Sequence, residues 1–348
     1  MKKKALIVGI TGQDGSHLAD FLIKKGYIVY GLKRRSSTFN TKNIDHIFDK
    51  KKFEKVFKVF YGDLTDSTSI LNVIQKSNPD EIYNLGAQSH VMTSFETPEY
   101  TANTDAIGCL RILEAIRNLK KEKKTKFYQA STSEIFGNTE IPQNENTTFR
   151  PTSPYAISKL YAYWTTVNYR EAYGVFAVNG ILFNHEGERR GETFVTRKIT
   201  RGIAELIHKK KDFLTLGNLD AKRDWGNAKD YVESMWLMMQ QKKPSDFVVA
   251  TGKSHSVREF VEEAFKCVNI DIIWRGQGRK EVGINKLTKK ILVKIDPIYK
   301  RPTDINELRG DSTKAKETLN WSPKTSFKQL VRNMVDYDLK EIKKYKDL

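Results

Sequence analysis

A chain of 348 residues with 39% hydrophobic and 29% charged residues can bury a sizeable core in one large or two ordinary domains, which excludes a disordered tract. Its formal charge of +18 suggests either a nucleic-acid or anionic-membrane partner or a lysine-rich surface around a site for phosphorylated ligands. Runs such as "KKEKK" at 120–124 favour solvated helix ends, no aromatic interleaving offers nucleic acid a stacking platform, and Cys109 and Cys267 are too few for a disulfide framework or zinc site.

The opening "MKKKALIVGI" has a basic start, but its apolar run breaks at "TGQDG", short of a signal peptide's hydrophobic region. No stretch approaches the roughly 20 apolar residues of a membrane span. The expectation is a cytoplasmic protein in a reducing compartment, with no membrane or nucleic-acid partner and no metal.

From residue 4 to about 182, short apolar runs alternate with helical patterns, the signal of βαβ units and a parallel sheet covered on both faces. Strands are expected at 5–8, 28–32, 56–61, 81–85, 126–130 and 175–182. Between them, "SHLADFLIKKG" and "GCLRILEAIRNL" repeat apolar residues at three and four. The expected fold is α/β, a doubly wound parallel sheet of Rossmann type over 1–182. A smaller C-terminal α/β substrate lobe over 183–348 follows, free to return to the sheet. In that lobe helices are expected near 194–210 and 230–241 and in "SVREFVEEAFKCV", with "LGNLDAKRDWG" as a turn-rich segment.

Directly after the first strand, "GITGQDGSHLADFL" places Gly9, Gly12 and Gly15 at the opening of a helix, with Thr11, Gln13 and Asp14 in the same turn. Glycines there permit a tight turn and close backbone approach to a pyrophosphate at the helix's positive end. The second strand ends in Lys33, Arg34 and Arg35 instead of the acid that holds the ribose of NAD. Guanidinium groups bind a 2′-phosphate through charge-assisted hydrogen bonds, so NADP is the expected cofactor. Asp63 and Leu64 are placed near adenine. Leu85, Gly86, Ala87 and Ser89, at the end of the fourth strand, are placed near the pyrophosphate and nicotinamide.

In "SPYAISK", Tyr155 and Lys159 are four apart and share a helix face. A phenol with a pKa of about 10 moves toward phenolate beside an ammonium, and such a Tyr can take an alcohol's proton while hydride leaves the same carbon. Just before it, "STSEIFG" closes the fifth strand and places the Glu134 carboxylate at the mouth of the sheet.

The combination of the glycine turn, "STSEIFG" and YxxxK resembles the extended short-chain dehydrogenase/reductase superfamily. Together with "KRRSSTFNT", "AQSHV", "FNHE", "RRGETFVTRKI", "GNLDAKRDWG" and "RPTDIN", which run through most of the chain, it resembles the GDP-mannose 4,6-dehydratase family. The resemblance implies an NADP-dependent lyase that oxidises C4 of GDP-mannose, expels water across C5 and C6 and returns hydride to C6. It implies Tyr155 as the C4 base and Lys159 as its electrostatic partner and ribose ligand. Thr132 would hydrogen-bond the C4 oxygen, Ser133 support the neighbouring groups, and Glu134 act as the elimination acid and base. It adds Tyr100, His185 and Arg190 on the cofactor side, with Arg190 reaching a neighbouring subunit's cofactor in a homo-oligomer, a tetramer favoured. Contacts to a GDP-linked manno-configured sugar would come from Ser89, Glu134, Asn184, Val195, Lys198, Leu216, Arg223 and Arg301. Gly86, Gly187, Glu188 and Asn227 depart from the family's usual Ala, Ser, Pro and His, which keeps a GDP-manno-heptose dehydratase open as the alternative substrate reading. A non-catalytic NADP-binding sensor is the alternative of a different class, because fold and cofactor motif alone do not establish catalysis.

Overall fold

The protein's structure, a computed structural model, describes residues 2–299 and 302–344. Six strands run in chain order: β1 (Lys4–Val8), β2 (Ile28–Lys33), β3 (Phe57–Tyr61), β4 (Glu81–Asn84), β5 (Lys126–Thr132) and β6 (Ala177–Leu182). With Phe247–Val249 they form one seven-stranded sheet in the order β3-β2-β1-β4-β5-β6-(Phe247–Val249). Every pairing in it is parallel. The sheet is a Rossmann-type doubly wound sheet, and the strand order reverses direction between β1 and β4, where such sheets open a ligand crevice at their carboxyl ends.

The apolar runs form strands because both faces are covered. Along β1, Ala5 and Ile7 enter one core with Leu18, Leu22 and Tyr128, while Leu6 and Val8 enter the opposite core with Ile74, Ile112 and Phe127. This two-residue alternation is the pleat itself. All four residues of β4 and all six of β6 are buried, so neither strand can show a polar face in its sequence.

Beyond β6 the chain first contributes helix Ala228–Met239, whose Tyr231, Met235 and Met238 pack on the β-sheet's first core, and then the seventh strand. The remaining elements gather around a third core that includes Ile203, Leu214, Trp225, Phe260, Val293 and Val331. They include a mixed four-stranded sheet of Ile272–Arg275, Val282–Asn285, Ile291–Ile295 and Leu214–Leu216. Helix Val195–Ile207 lies within the expected 194–210, and helix Val257–Lys266 starts at a reciprocal capping box between Ser256 and Glu259. The segment expected as turn-rich, 216–226, has no regular element over 217–221, but it begins at the end of strand Leu214–Leu216, contains strand Lys222–Asp224 and ends in strand Gly226–Asn227. Each is three residues or fewer, too short for periodicity to register.

Candidate active site

The glycine turn joins β1 to helix Gln13–Lys24. Gly9 adopts φ +82°, and a Cβ on it would lie 2.9 Å from Gly86 N, while one on Gly15 would lie 2.3 Å from Gly9 O. Only glycine allows this turn to close against the end of β4 and leave bare backbone at the helix start. Gly86 has its own reason: a Cβ there would come within 2.8 Å of Leu64 Cδ1 and 3.0 Å of Val8 Cγ1.

At the end of β2, Arg34 Nη1 donates to Tyr100 Oη at 2.6 Å, and the Arg35 guanidinium lies 5.4 Å from the centre of the Tyr61 ring. Both arginines are exposed at the crevice rim. Asp63 Oδ1 accepts from the backbone N–H and hydroxyl of Thr65, at 2.9 and 2.8 Å, and Leu64 O accepts from Arg111. Ala87 and Ser89 follow β4 in a loop whose Gln88 N–H donates to Asp105 Oδ1 at 2.7 Å.

Asp14 and Gln13 are tied to the segment after β6. His185 Nε2 is 2.7 Å from Asp14 Oδ2, and Gln13 Nε2 donates to both Asp14 Oδ1 and His185 O. Arg190 Nε lies 3.1 Å from Glu186 Oε2, and the guanidinium covers the Phe194 ring at 3.7 Å. Its charge acts on Asp14 and Tyr155 of its own chain. In the same loop, Glu188 pairs with Lys229 at 2.6 Å, and Asn227 caps helix Ala228–Met239 by accepting from Lys229 N.

Tyr155 and Lys159 occupy the first turns of helix Pro154–Tyr173, which opens with Ser153 as N-cap and Pro154 at the first helical position. The two side chains lie one turn apart on its buried face. β5 runs two residues beyond the expected strand, through Ser131 and Thr132, and then tightens into a 3₁₀ turn over Ser133–Phe136. Thr132 Oγ1 accepts from Glu134 N at 3.3 Å, and Thr132 and Glu134 both act on the Tyr155 phenol. Thr132, Glu134 and Tyr155 retain 8%, 9% and 8% of their surface, so the constellation is nearly dry but reachable. Contrary to the shift toward phenolate expected from the sequence, burial, then the Asp105 and Glu134 charges, raise the Tyr155 phenol above its ordinary value; Thr132 and Arg190 oppose this, and Lys159 is not among the leading influences on it. Burial lowers Lys159, opposed chiefly by Asp105.

Asp105 escaped the sequence reading. It is buried inside a π-helical segment, Ala102–Ile107, that runs into helix Gly108–Asn118. The available signal was an acid on an apolar stripe: positions 105, 109, 112 and 116 are all buried, at spacings of four, three and four.

Asn184 follows β6 as Glu134 follows β5, and its Oδ1 is buried without a partner among the described residues. The remaining expected sugar-nucleotide contacts form a group on the lobe. The Lys198 ammonium sits 3.1 Å from the centre of the Tyr299 ring, one turn along the helix from exposed Val195. Buried Leu216 accepts Asp296 N through its carbonyl. Arg223 Nη1 donates to the carbonyls of Lys222 and Ile305, each at 2.9 Å, and Nη2 lies 3.4 Å from Asp304 Oδ1. Tyr299 and Asp304 join this group without having been singled out in the sequence, because their partners are about 80 to 100 residues away in the chain. Arg301 lies outside the described residues. Among the described residues, no group of three or more His, Cys, Asp or Glu could hold a metal ion.

The chain matches the family model described as GDP-mannose 4,6 dehydratase over residues 6–334. It is 58% identical to the GDP-mannose 4,6-dehydratase of Sinorhizobium fredii (strain HH103), covering 97% of each chain. It is 56% identical to the human GDP-mannose 4,6 dehydratase, covering 96% of this chain and 91% of the other. Among solved structures, the UDP-glucose 4-epimerase of Thermotoga maritima superposes with TM-score 0.80 at 23% identity, over 97% of this chain and 99% of that one. A dTDP-glucose 4,6-dehydratase from Bacillus anthracis superposes with TM-score 0.79 at 19% identity, over 99% of each chain.

Proposed function

The chain belongs to the GDP-mannose 4,6-dehydratase family, a family of hydro-lyases, and from that premise we propose that it converts GDP-mannose to GDP-4-keto-6-deoxymannose with NADP as cofactor. The observation that carries this reading is the convergence of Thr132, Glu134 and Tyr155 at the end of β5. A plain reductase or a 4-epimerase needs the Tyr but no carboxylate for elimination.

The residues present fit a nicotinamide dinucleotide, since the glycine turn is a cradle that side chains would fill. Gly9, Gly12 and Gly15, with Thr11, Gln13 and Asp14, hold the pyrophosphate. Arg34 and Arg35, with Tyr100, take the 2′-phosphate. Asp63 and Leu64 flank adenine, Leu85, Gly86, Ala87 and Ser89 flank the nicotinamide side, and His185 and Arg190 close the turn. When bound, the cofactor supplies a hydride acceptor that later becomes the hydride donor.

Tyr155 takes the proton of the C4 hydroxyl, Lys159 stabilises the phenolate and holds the ribose, and Thr132 hydrogen-bonds the C4 oxygen and relays its proton. The C4 ketone acidifies the C5 hydrogen, because the charge left behind is shared with the carbonyl oxygen. Glu134 removes that proton and delivers one to the departing C6 hydroxyl, supported by Ser133, so that water leaves. Hydride then enters at C6 and a proton returns to C5, balancing the one Tyr155 took. On the lobe, Lys198, Arg223 and Arg301 hold the diphosphate, and Asn184, Val195 and Leu216 line the sugar nucleotide.

GDP-manno-heptose is a second reading, favoured by Gly187, where a Cβ would meet nothing closer than Gln13 Oε1 at 3.7 Å. Incubating purified protein and NADP with each sugar nucleotide tests both. A keto product one water lighter is expected, with the larger kcat/KM naming the substrate. No such product from either would overturn the reading.

A homo-oligomer, tetramer favoured, is supported by an apolar face on the same helix as Tyr155. Ile157, Tyr161 and Trp164 are 57%, 44% and 54% exposed there, and with Leu110 they line one groove. Mass from light scattering tests it. A cytoplasmic location is part of the same reading, and no helix among the described residues is long and apolar enough to cross a membrane. In the same reading, residues 1–182 form the NADP-binding unit and 183–348 mainly the substrate lobe.

A further inference from the structure

We propose that the amino-terminal end of the seven-stranded sheet is a docking face for an anionic lipid bilayer, built from lysines, with the crevice at the opposite end left open to solvent.

Because every pairing in the sheet is parallel, all seven strands enter at one end and leave at the other. The segments that lead into them are 2–4, 24–27, 50–56, 76–80, 119–126, 174–176 and 240–246, and they share that end. Together they hold 17 lysines, no arginine and 4 acids, so over two-thirds of the chain's +18 charge stands on one face. In the sequence these lysines are separate runs; the parallel sheet collects them. All but Lys4, Lys121 and Lys126 are exposed.

The segments are tied into one surface. Lys3 Nζ donates to Glu81 Oε1 at 3.0 Å and to Gln240 Oε1 at 2.9 Å, Lys126 Nζ donates to Met239 O at 2.6 Å, and Lys121 Nζ donates to Asn78 Oδ1. Residues 50–56 turn twice at the start of β3, where Phe53 N donates to Lys50 O and Val56 N to Phe53 O. Strands about 4.8 Å apart make such a face roughly 30 Å wide, and their length sets it about 15–20 Å from the glycine turn and Glu134.

Stability does not account for the cluster. Lys24, Lys51, Lys52 and Lys76 lie in the last turns of helices, where a cation complements the terminal carbonyls, but the other lysines do not. Among the described residues, Lys3 with Glu81 is the only ion pair that any of them makes. Crowded like charges repel, and a polyanion relieves that repulsion.

The chemistry selects the partner. Lysine is a point charge on a flexible stem, suited to the diffuse field of a charged surface, whereas forked recognition of single phosphates uses arginine. None of the segments carries an exposed aromatic on which a single-stranded nucleic acid could stack. Each lysine close to an anionic bilayer adds about 5-fold in affinity. No helix among the described residues is long and apolar enough to cross a membrane, so the protein lies on the surface and is released by salt.

Sedimentation with phosphatidylcholine vesicles containing about 30% phosphatidylserine or none tests this at low and physiological salt. Wild type should pellet with the anionic vesicles alone, and more at low salt. Lys55→Gln, Lys120→Gln, Lys124→Gln, Lys242→Gln and Lys243→Gln combined should weaken binding by about 10-fold or more. Lys209→Gln, Lys266→Gln, Lys280→Gln, Lys286→Gln and Lys289→Gln, which remove the same charge from the lobe, should change it by less than about 3-fold. No binding by wild type, or equal loss in both variants, would overturn the proposal. So would a duplex or single-stranded oligonucleotide that strips the protein from the vesicles at matched phosphate concentration. If the first variant does not fold, acetylation of wild type with and without anionic vesicles, read by mass spectrometry, decides. Lys120, Lys124 and Lys242 should be protected by the vesicles, and Lys266 and Lys286 should label as in free protein; uniform protection would reject the face.

Discussion

His185 Nε2 meets Asp14 Oδ2 at 2.7 Å, so the segment leaving β6 is bonded to the glycine turn leaving β1. Burial alone would raise Asp14, but the charge and hydrogen bond of His185, then Arg190 and Gln13, hold it at about 2. Burial lowers His185, yet Asp14 and the Phe183 carbonyl raise it above 6.5. The depressed Asp14 contributes stability above its unfolded value, lost only as pH falls through about 2. The raised His185 contributes fully below 6.5, and its part is lost as pH rises through its folded value. His185→Asn should therefore cost about 2 kcal/mol at pH 5.5, less than the roughly 3–5 of a fully buried pair because Asp14 keeps some exposure. The gap in Tm from wild type should narrow by pH 9. A gap independent of pH would mean that the ring acts by shape alone.

Glu134→Gln preserves the size of the side chain at the end of β5 and removes its ability to take a proton. Dehydration should fall by about 10²–10⁴-fold, the usual worth of a positioned acid or base. In deuterated water the variant should fail to wash label into C5, although reduced cofactor still accumulates from C4 oxidation. Normal C5 exchange would move the base elsewhere.

Arg34 and Arg35 stand where an acid would select NAD, and Arg34 is already braced by Tyr100 Oη. Each charge-assisted contact to a 2′-phosphate is worth about 1.5–3 kcal/mol. Replacing both with Ala should weaken NADP by about 10²-fold or more in a fluorescence titration and leave NAD within about 3-fold. Equal losses for the two cofactors would remove the phosphate role.

Most of the sheet was legible because strands buried on both faces write themselves as continuous apolar runs, and Tyr155 and Lys159 were legible because four residues make one helical turn. The seventh strand, Phe247–Val249, was not: three residues carry no period, and its place beside β6 is decided by packing across about 65 residues of chain. Asp105 was hidden for a related reason. Its segment reads as an ordinary amphipathic helix, and only the π turn and its charge acting on Tyr155, 50 positions later, turn a buried acid into a feature of the site. Likewise, Lys198 under Tyr299 and Arg223 beside Asp304 join parts of the chain that no local pattern connects.

Arg197 and Asp338 provide the last prediction, because they fix the helix that carries Val195 and Lys198. The two side chains are 4% and 0% exposed. Asp338 accepts from Arg197 Nε and Nη2 and from Thr200 Oγ1 at 2.7–3.1 Å. Arg197 Nη1 also donates to the carbonyls of Glu188 and Arg190, at 2.5 and 2.9 Å, so one guanidinium joins the C-terminal helix Phe327–Lys344 to the loop beside the glycine turn. Asp338→Asn leaves a buried cation without its counter-charge, which costs about 3–5 kcal/mol. For a chain of this size that is a fall in Tm of roughly 4–7 °C. Because the same guanidinium sets the Glu188–Arg190 loop, KM for the sugar nucleotide should rise several-fold while kcat changes little. A stable variant with unchanged KM would show that the helix and loop are held by the Ile199 and Ile203 core contacts alone.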